Sequence, residues 1–444
     1  MGTVGEEKER ERGYRVVILR VPDYYPKFSC IADKCKDSCC IGWEIDIDED
    51  TYEFYKHTDG VIGKRLKKHM YQTVDGDYSF ELQQKGRCPF LNEKNLCDIC
   101  IELGEEALSE VCTEYPRFTT SYGNVIQKCL SLSCEEVGRL VFTRDDSVKI
   151  VEFPYGGMMV DEEDRDSEIQ EEKEDGEGGW ENEDYEEIEA EMLRIQFLEQ
   201  VQAQAITILQ NKRQPIEERM REYLYFVEAV QQRINAEQWD VEDIEVIEYM
   251  EELVENDNIK GIARGVYPIE KEEFNRLEDD WKEDDLYQRF LRRFYVFSQM
   301  ETLDSEWENV KKELKENLTS ENYEALLYEF CNSQGYLEQD YEQLMVYFTF
   351  RYFMNAVYDY DLLSYARFAL ACTLMIRDMD LVRFQKNEGT YTREDRIDVV
   401  RIFSKEVEHS EENVELAREE CMFDDVIYKV CSVRNVNVGW GGSE

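Results

Sequence analysis

Residues 188–211 read IEAEMLRIQFLEQVQAQAITILQN, with apolar side chains at Met192, Ile195, Phe197, Leu198, Val201, Ile206 and Leu209. This spacing is close to the period of roughly 3.6 residues that marks an amphipathic helix. Working outward toward the C-terminus, similar stretches recur at about 216–235, 240–256, 270–299, 303–317, 320–331, 336–358, 361–380 and 393–419, interrupted by no prolines except Pro215 and Pro268. Thr392-Arg393-Glu394-Asp395 has the character of a helix start ahead of Ile397 and Val400. Residues 188–444 are therefore expected to form an all-helical domain.

Toward the N-terminus the texture changes. Residues 161–191 hold 18 acidic and 2 basic side chains. So little apolar surface cannot offset the entropy of ordering, and residues 158–187 are expected to be an acidic disordered linker or surface loop. Residues 14–150 form a third region, whose short extended and helical patterns are expected around 14–29, 44–50, 51–69, 78–90, 102–110 and 135–143. The fold class expected is mainly α: a small cysteine-rich metal-binding region with short strands, then the helical domain.

The whole chain of 444 residues carries a net charge of −49. Such a surface repels phosphate backbones and anionic lipid, which argues against nucleic acid and membrane as partners. No apolar run approaches the roughly 18 residues of a membrane span; the most apolar, Leu362 to Ile376, is interrupted by Arg367. The first residues lack an apolar signal region, so a soluble cytoplasmic protein is expected.

Ten of the 14 cysteines precede residue 135. Without a secretion signal, crowded thiols point to metal ligation or redox chemistry rather than disulfides. The dense run is Cys30, Cys35, Cys39 and Cys40, followed by Cys88, Cys97, Cys112 and Cys134. Structural zinc and an iron–sulfur cluster are both open on spacing alone. A radical S-adenosylmethionine motif is unsupported, because Gly42 stands where its third cysteine belongs, and Cys97-x2-Cys100 has no βαβ pattern around it. Trp43 fits core packing or the shielding of a metal. Arg351 lies in an otherwise apolar aromatic helix, where a cation needs a partner.

The stretches FSCIADKCKDSCCIGWEIDID (28–48), GRCPFLNEKNLCDICIELGEEALSEVCTEYPR (86–117), LSLSCEEVGRL (130–140), YFTFRYFMNAVYDYDL (347–362) and KEVEHSEENVE (405–415) resemble, in order, the flagellin lysine-N-methylase family. The resemblance implies S-adenosylmethionine-dependent methylation of lysine side chains on flagellin in the bacterial cytoplasm. It also implies a cysteine-bound [4Fe-4S] cluster, with zinc as the alternative, drawn from Cys30, Cys35, Cys39, Cys40, Cys88, Cys97, Cys112 and Cys134. Cys100 and Cys129 fall outside the matching pattern. Glu408 and His409, read with Asn413 as one face of a helix, match the C-terminal motif as candidates to deprotonate lysine. Arg351 is a candidate to bind a carboxylate of the donor or the protein, and Tyr115 and Arg117 are candidates at the donor or cluster.

No GxGxxG follows a strand and no SET-type pattern is visible, so the donor site is not located by motif. A reading from another class is a non-enzymatic metal-binding adaptor whose acidic helical half binds a partner. A third is a metal-dependent redox enzyme.

Overall fold

The computed structural model describes residues 15–158, 180–239 and 286–424, apart from 37, 43, 44 and 75, together with 427, 428 and 430. Expectations for Trp43, for most of the acidic stretch and for helices between 240 and 285 lie outside the described residues.

The N-terminal part runs β1 (Arg15–Pro22), β2 (Asp46–Ile47), α1 (Glu49–His57), α2 (Gly60–His69), β3 (Met70–Gln72), β4 (Tyr78–Phe80), α3 (Asp98–Leu103), α4 (Glu110–Glu114), β5 (Arg117–Tyr122), β6 (Val125–Leu130), α5 (Glu135–Phe142) and β7 (Ile150–Met158). Asp48 caps α1 through the Thr51 N–H and reaches across to the Glu110 N–H, so one carboxylate starts two helices. The helix expected over 102–110 is instead broken by Gly104, whose φ of +98° a residue with a side chain rarely adopts.

These elements make two sheets. Strands β2, β4 and β3 form a small antiparallel one. The other has the order β5-β6-β1-β7, with β1 parallel to β6 and antiparallel to β7. The β5–β6 hairpin was not legible as strands, because Gln127 sits inside the sheet where alternation calls for an apolar residue. Its burial is made tolerable by the Phe350 carbonyl, which accepts from Gln127 Nε2 at 2.6 Å.

The helical part follows as α6 (Trp180–Leu209), α7 (Ile216–Asn235), α8 (Leu286–Ser298), α9 (Ser305–Asn317), α10 (Tyr323–Cys331), α11 (Glu338–Tyr352), α12 (Ala356–Asp359), α13 (Leu362–Lys386), α14 (Arg393–Val407) and α15 (Glu411–Phe423). Helix α6 begins inside the stretch read as acidic linker. Helices α11 and α13 are buried nearly all round, as central helices must be. The two carboxylates α13 takes into the interior are paired: Asp378 with Arg293 and the Tyr323 hydroxyl, Asp380 with Arg396 and the Tyr341 hydroxyl.

Two cores result. A small one joins Ile45, Tyr55, Leu66, Phe80, Cys88 and Phe90 from the β2–β4 sheet, α1, α2 and the following loop. The large one runs from Tyr24, Leu130 and Phe142 through all the helices from α6 to α15, the short α12 contributing Ala356 and Val357. The cysteine-rich strip lies against the helical half at Gly42. A Cβ there would stand 3.0 Å from Asp304 Oδ2 and 3.3 Å from Lys405 Nζ, and the local φ is +94°.

Candidate functional site

The stretch expected as one helix over 393–419 is two, and the break falls at Glu408-His409-Ser410. Ser410 is the reason: its hydroxyl accepts the Asn413 N–H at 3.1 Å and starts α15 afresh. Glu408, His409 and Asn413 therefore do not share a helix face. Asn413 turns away to the Glu301 and Glu406 carbonyls, whereas Glu408 and His409 are presented by the turn toward the end of α11 and the β5–β6 hairpin.

Glu408 is 6% exposed. Its Oε2 accepts hydrogen bonds from Tyr347 at 2.8 Å and Tyr352 at 3.2 Å, while Oε1 has no hydrogen-bond partner. Burial raises its pKa, against the pull of the Ser404 and Tyr347 hydroxyls and of Arg351. Arg351 lies beside it, one residue before Tyr352 on α11. Its guanidinium carbon stands 3.9 Å from the Phe118 ring centroid and 4.7 Å from that of Tyr352. The buried Nε of Arg351 has no hydrogen-bond partner either. Burial works against its charge, but the acidic groups around it, Tyr352, Cys129, Tyr347 and Glu408, shift its pKa upward on balance.

His409 Nε2 lies 2.8 Å from Ser133 Oγ and 3.3 Å from Ser131 Oγ. The two serine hydroxyls are 2.7 Å apart, and Ser133 Oγ is 3.0 Å from Tyr115 Oη. The imidazole packs near the rings of Tyr115 and Phe118, with centroids at 5.8 and 5.5 Å. Burial, helped by Arg351 and Lys405, lowers its pKa to about 4, so it is neutral near pH 7.

Four of the stretches quoted above thus meet in one place: Tyr115, Ser131 with Ser133, Arg351 with Tyr347 and Tyr352, and Glu408 with His409. Arg117 does not join them. It precedes Phe118 on β5 and so faces the other side of the sheet, donating to the Thr113 carbonyl and covering the Phe28 ring. Sequence reasoning missed Ser131, Ser133, Phe118, Tyr347 and Tyr352. Ser131-x-Ser133 and the tyrosines flanking Arg351 were inside recognised stretches, but hydroxyl and ring side chains are too common to stand out singly.

A guanidinium close to two aromatic rings and a buried carboxylate oxygen without a hydrogen-bond partner are groups of opposite sign that a charged ligand can engage.

The cysteines are arranged differently. Cys40, Cys88, Cys97 and Cys112 lie in or against the small core, while Cys30 and Cys39 are exposed. Cys134 is the N-cap residue of α5 and makes no side-chain capping hydrogen bond there, and burial raises its thiol pKa. Burial raises the thiols of Cys88 and Cys112 to about 12, and a hydrogen bond from Cys39 holds the Cys40 thiol below its ordinary value. Among the described residues no group of three His, Cys, Asp or Glu side chains is placed to hold a metal ion. The expected metal centre is not assembled by these side-chain positions.

No helix among the described residues is long and apolar enough to cross a membrane. No solved structure matches the chain. Residues 202–428 match the family described as FliB lysine N-methylase C-terminal domain. A lysine-N-methylase of Salmonella typhimurium is 30% identical over 149 residues, which cover 31% of this chain and 35% of that protein. A lysine-N-methylase of Salmonella choleraesuis gives the same figures, so the match spans about a third of these relatives' length. The flagellar biosynthetic protein FliU of Salmonella muenchen is 30% identical over 141 residues, covering 83% of its length. With half of its residues inside that family's C-terminal domain and most of a related protein covered, the chain belongs to the FliB lysine N-methylase family.

Proposed function

We propose that this protein transfers a methyl group from S-adenosylmethionine to lysine side chains of flagellin, with the chemistry at the Arg351–Glu408–His409 niche. One observation carries the reading: separate stretches resembling the lysine-N-methylase family converge on a buried carboxylate with an oxygen that makes no hydrogen bond, a guanidinium close to two aromatic rings and a neutral imidazole. Bound S-adenosylmethionine supplies a sulfonium-activated methyl group. An ammonium has no lone pair, so the lysine must shed a proton before its nitrogen forms the new C–N bond and the thioether leaves.

His409 is the acceptor for that proton. Its imidazole is neutral at working pH, and its depressed proton affinity favours handing the proton on. Ser133, Ser131 and Tyr115 offer hydroxyls that can each accept and donate. Phe118, Tyr115 and Tyr352 give the cationic lysine head ring faces, and exclusion of water lowers the ammonium pKa. Arg351 and Glu408 hold charged groups of the reactants next to it.

The Cys-ligated [4Fe-4S] cluster, or zinc in its place, is part of the same proposal as an organising centre, and no step above passes through it. Its support is the resemblance of the cysteine-bearing stretches to the family; Cys40, Cys88, Cys97 and Cys112 lie in or against one small core but do not form a ligand group among the described residues. About four iron and four sulfide per chain in anaerobically purified protein is the result expected; zinc without sulfide would replace the cluster, and no metal would remove the centre.

The test of the activity is mass spectrometry of flagellin incubated with the purified protein and S-adenosylmethionine. Lysine masses rising in steps of one methylene, lost in His409→Asn, are expected. Unmodified flagellin under conditions where the protein is folded and metal-replete would overturn the reading and favour the adaptor.

A further inference from the structure

We infer that Arg351 and Glu408 form a clamp for a zwitterionic α-amino-acid head group, carboxylate on the guanidinium and ammonium on Glu408 Oε1, and that its occupant is the methionine end of the methyl donor. The inference rests on the methyltransferase reading above and names the part of the donor this niche takes.

Three features of the geometry point to it. The guanidinium carbon of Arg351 lies 3.9 Å from the Phe118 ring centroid and 4.7 Å from that of Tyr352, contacts that use none of its N–H donors. It forms no ion pair and no hydrogen bond with the described residues, and its Nε is buried without a partner. A planar guanidinium fork in that state matches a carboxylate.

Glu408 is 6% exposed and two tyrosine hydroxyls orient its carboxylate at Oε2, while Oε1 makes no hydrogen bond and the Ser404 hydroxyl acts on the carboxyl from nearby. A buried carboxylate oxygen without a donor calls for a cationic or N–H partner. Tyr352 fixes the relation between the two groups, because its ring lies against the guanidinium and its hydroxyl holds the carboxylate. Arg351 and Glu408 nonetheless do not pair with each other, so the fold keeps two opposite charges close and unjoined.

The chemistry of the occupant follows. A lysine side chain would satisfy Glu408 and leave Arg351 bare. An adenosine would satisfy neither charge. An α-amino acid carries a carboxylate and an ammonium on adjacent atoms of one carbon and serves both. Of the two reactants, the donor is the one that bears a free amino-acid head; a lysine within a protein has its α-groups locked in peptide bonds.

The experiment is calorimetry of the full chain with S-adenosylhomocysteine and with 5′-methylthioadenosine, which keeps the nucleoside thioether and lacks the amino-acid head. Wild-type protein is expected to bind the first at least tenfold more tightly. Arg351→Met is expected to bring the two affinities within about twofold by weakening S-adenosylhomocysteine alone, and Glu408→Gln to narrow the gap in the same sense. Retained 5′-methylthioadenosine binding reports that each variant is folded. Equal affinities in the wild type, or an equal loss of both ligands in Arg351→Met, would overturn the clamp and leave the methyltransferase reading standing. Failure of the wild type to bind either compound would overturn the donor reading itself.

Discussion

At the scale of single residues, His409 makes the sharpest statement about pH. The folded protein keeps the imidazole neutral down to about pH 4, chiefly through burial and then through the facing charges of Arg351 and Lys405. In the unfolded chain it takes a proton near pH ~6.5. Between these values the unfolded state binds more protons, so this group's contribution to stability is present above pH ~6.5 and is lost as pH falls, by at most about 1.4 kcal/mol per pH unit. Glu408 acts in the opposite sense, because its raised pKa lets the folded state take up a proton first on acidification. Comparing wild type with His409→Asn cancels that contribution. Denaturant midpoints measured from pH 7 to 4 should fall less steeply in the variant; parallel curves would mean that the folded imidazole is already protonated. The hydroxyl partners give a second readout. Ser133→Ala removes the 2.8 Å contact to Nε2 and should lower kcat by about ten- to a hundredfold with KM nearly unchanged, and Ser133→Thr should restore most of the rate. A matching rise in KM would place Ser133 in binding instead.

At the scale of elements, the break between α14 and α15 decides whether a site exists at all. A continuous helix would carry His409 around with Asn413, away from Ser133. Ser410 holds the break, so Ser410→Ala should cost about 1 kcal/mol in thermal or chemical unfolding and should also blur the kcat effect of Ser133→Ala. A variant as active and as stable as wild type would show that the turn is fixed by packing alone. This junction also shows what the sequence could and could not say. The amphipathic periods around it were legible, and Ser410 followed by Glu411 and Glu412 is a readable start signal. The polar residues on both sides, however, fit an exposed helix face equally well, and no local rule chooses between one helix and two. Arg351 stood out because a cation in an apolar aromatic helix needs a partner, and Glu408 and His409 stood out through the match to the family's C-terminal motif. Ser131 and Ser133 carry no such signal, and the sheet that presents them was hidden by the buried Gln127. The cysteine pattern announced a metal centre, and among the described residues no three such side chains are placed to hold a metal ion.

The ion pairs of α13 belong to the same scale. Asp378 is fully buried and accepts from Arg293 Nε at 2.9 Å and Tyr323 at 2.6 Å. Asp378→Asn leaves the Arg293 guanidinium, itself 1% exposed, facing a neutral group. A loss of about 3–5 kcal/mol is expected, measured by urea unfolding. A loss under about 1 kcal/mol would mean that water reaches the pair. The partners of Asp378, Arg293 and Tyr323, are not residues of the site, so methylation by whatever protein remains folded should be unaffected.

For the whole molecule, the net charge of −49 sets two salt responses of opposite sign. Self-repulsion of a compact anion weakens as the screening length shortens from roughly 30 Å at 0.01 M to roughly 10 Å at 0.1 M salt. Salt also weakens exposed ion pairs such as Lys36–Glu394, but each of these contributes only about 0–1 kcal/mol. The buried pairs, Arg293–Asp378, Arg219–Glu342 and Arg396–Asp380, are little screened. Repulsion therefore wins, and Tm should rise with sodium chloride over this range. Encounter with a cationic substrate depends on the same field in the other direction, since a negative surface steers exposed lysines toward it. At low substrate concentration, methylation of a lysine-rich segment should slow over the same range in which Tm rises. The two responses together separate steering from stability: a rate that climbs in step with Tm would mean that salt acts only by holding the fold together, and that the acidic surface plays no part in bringing lysines to the site.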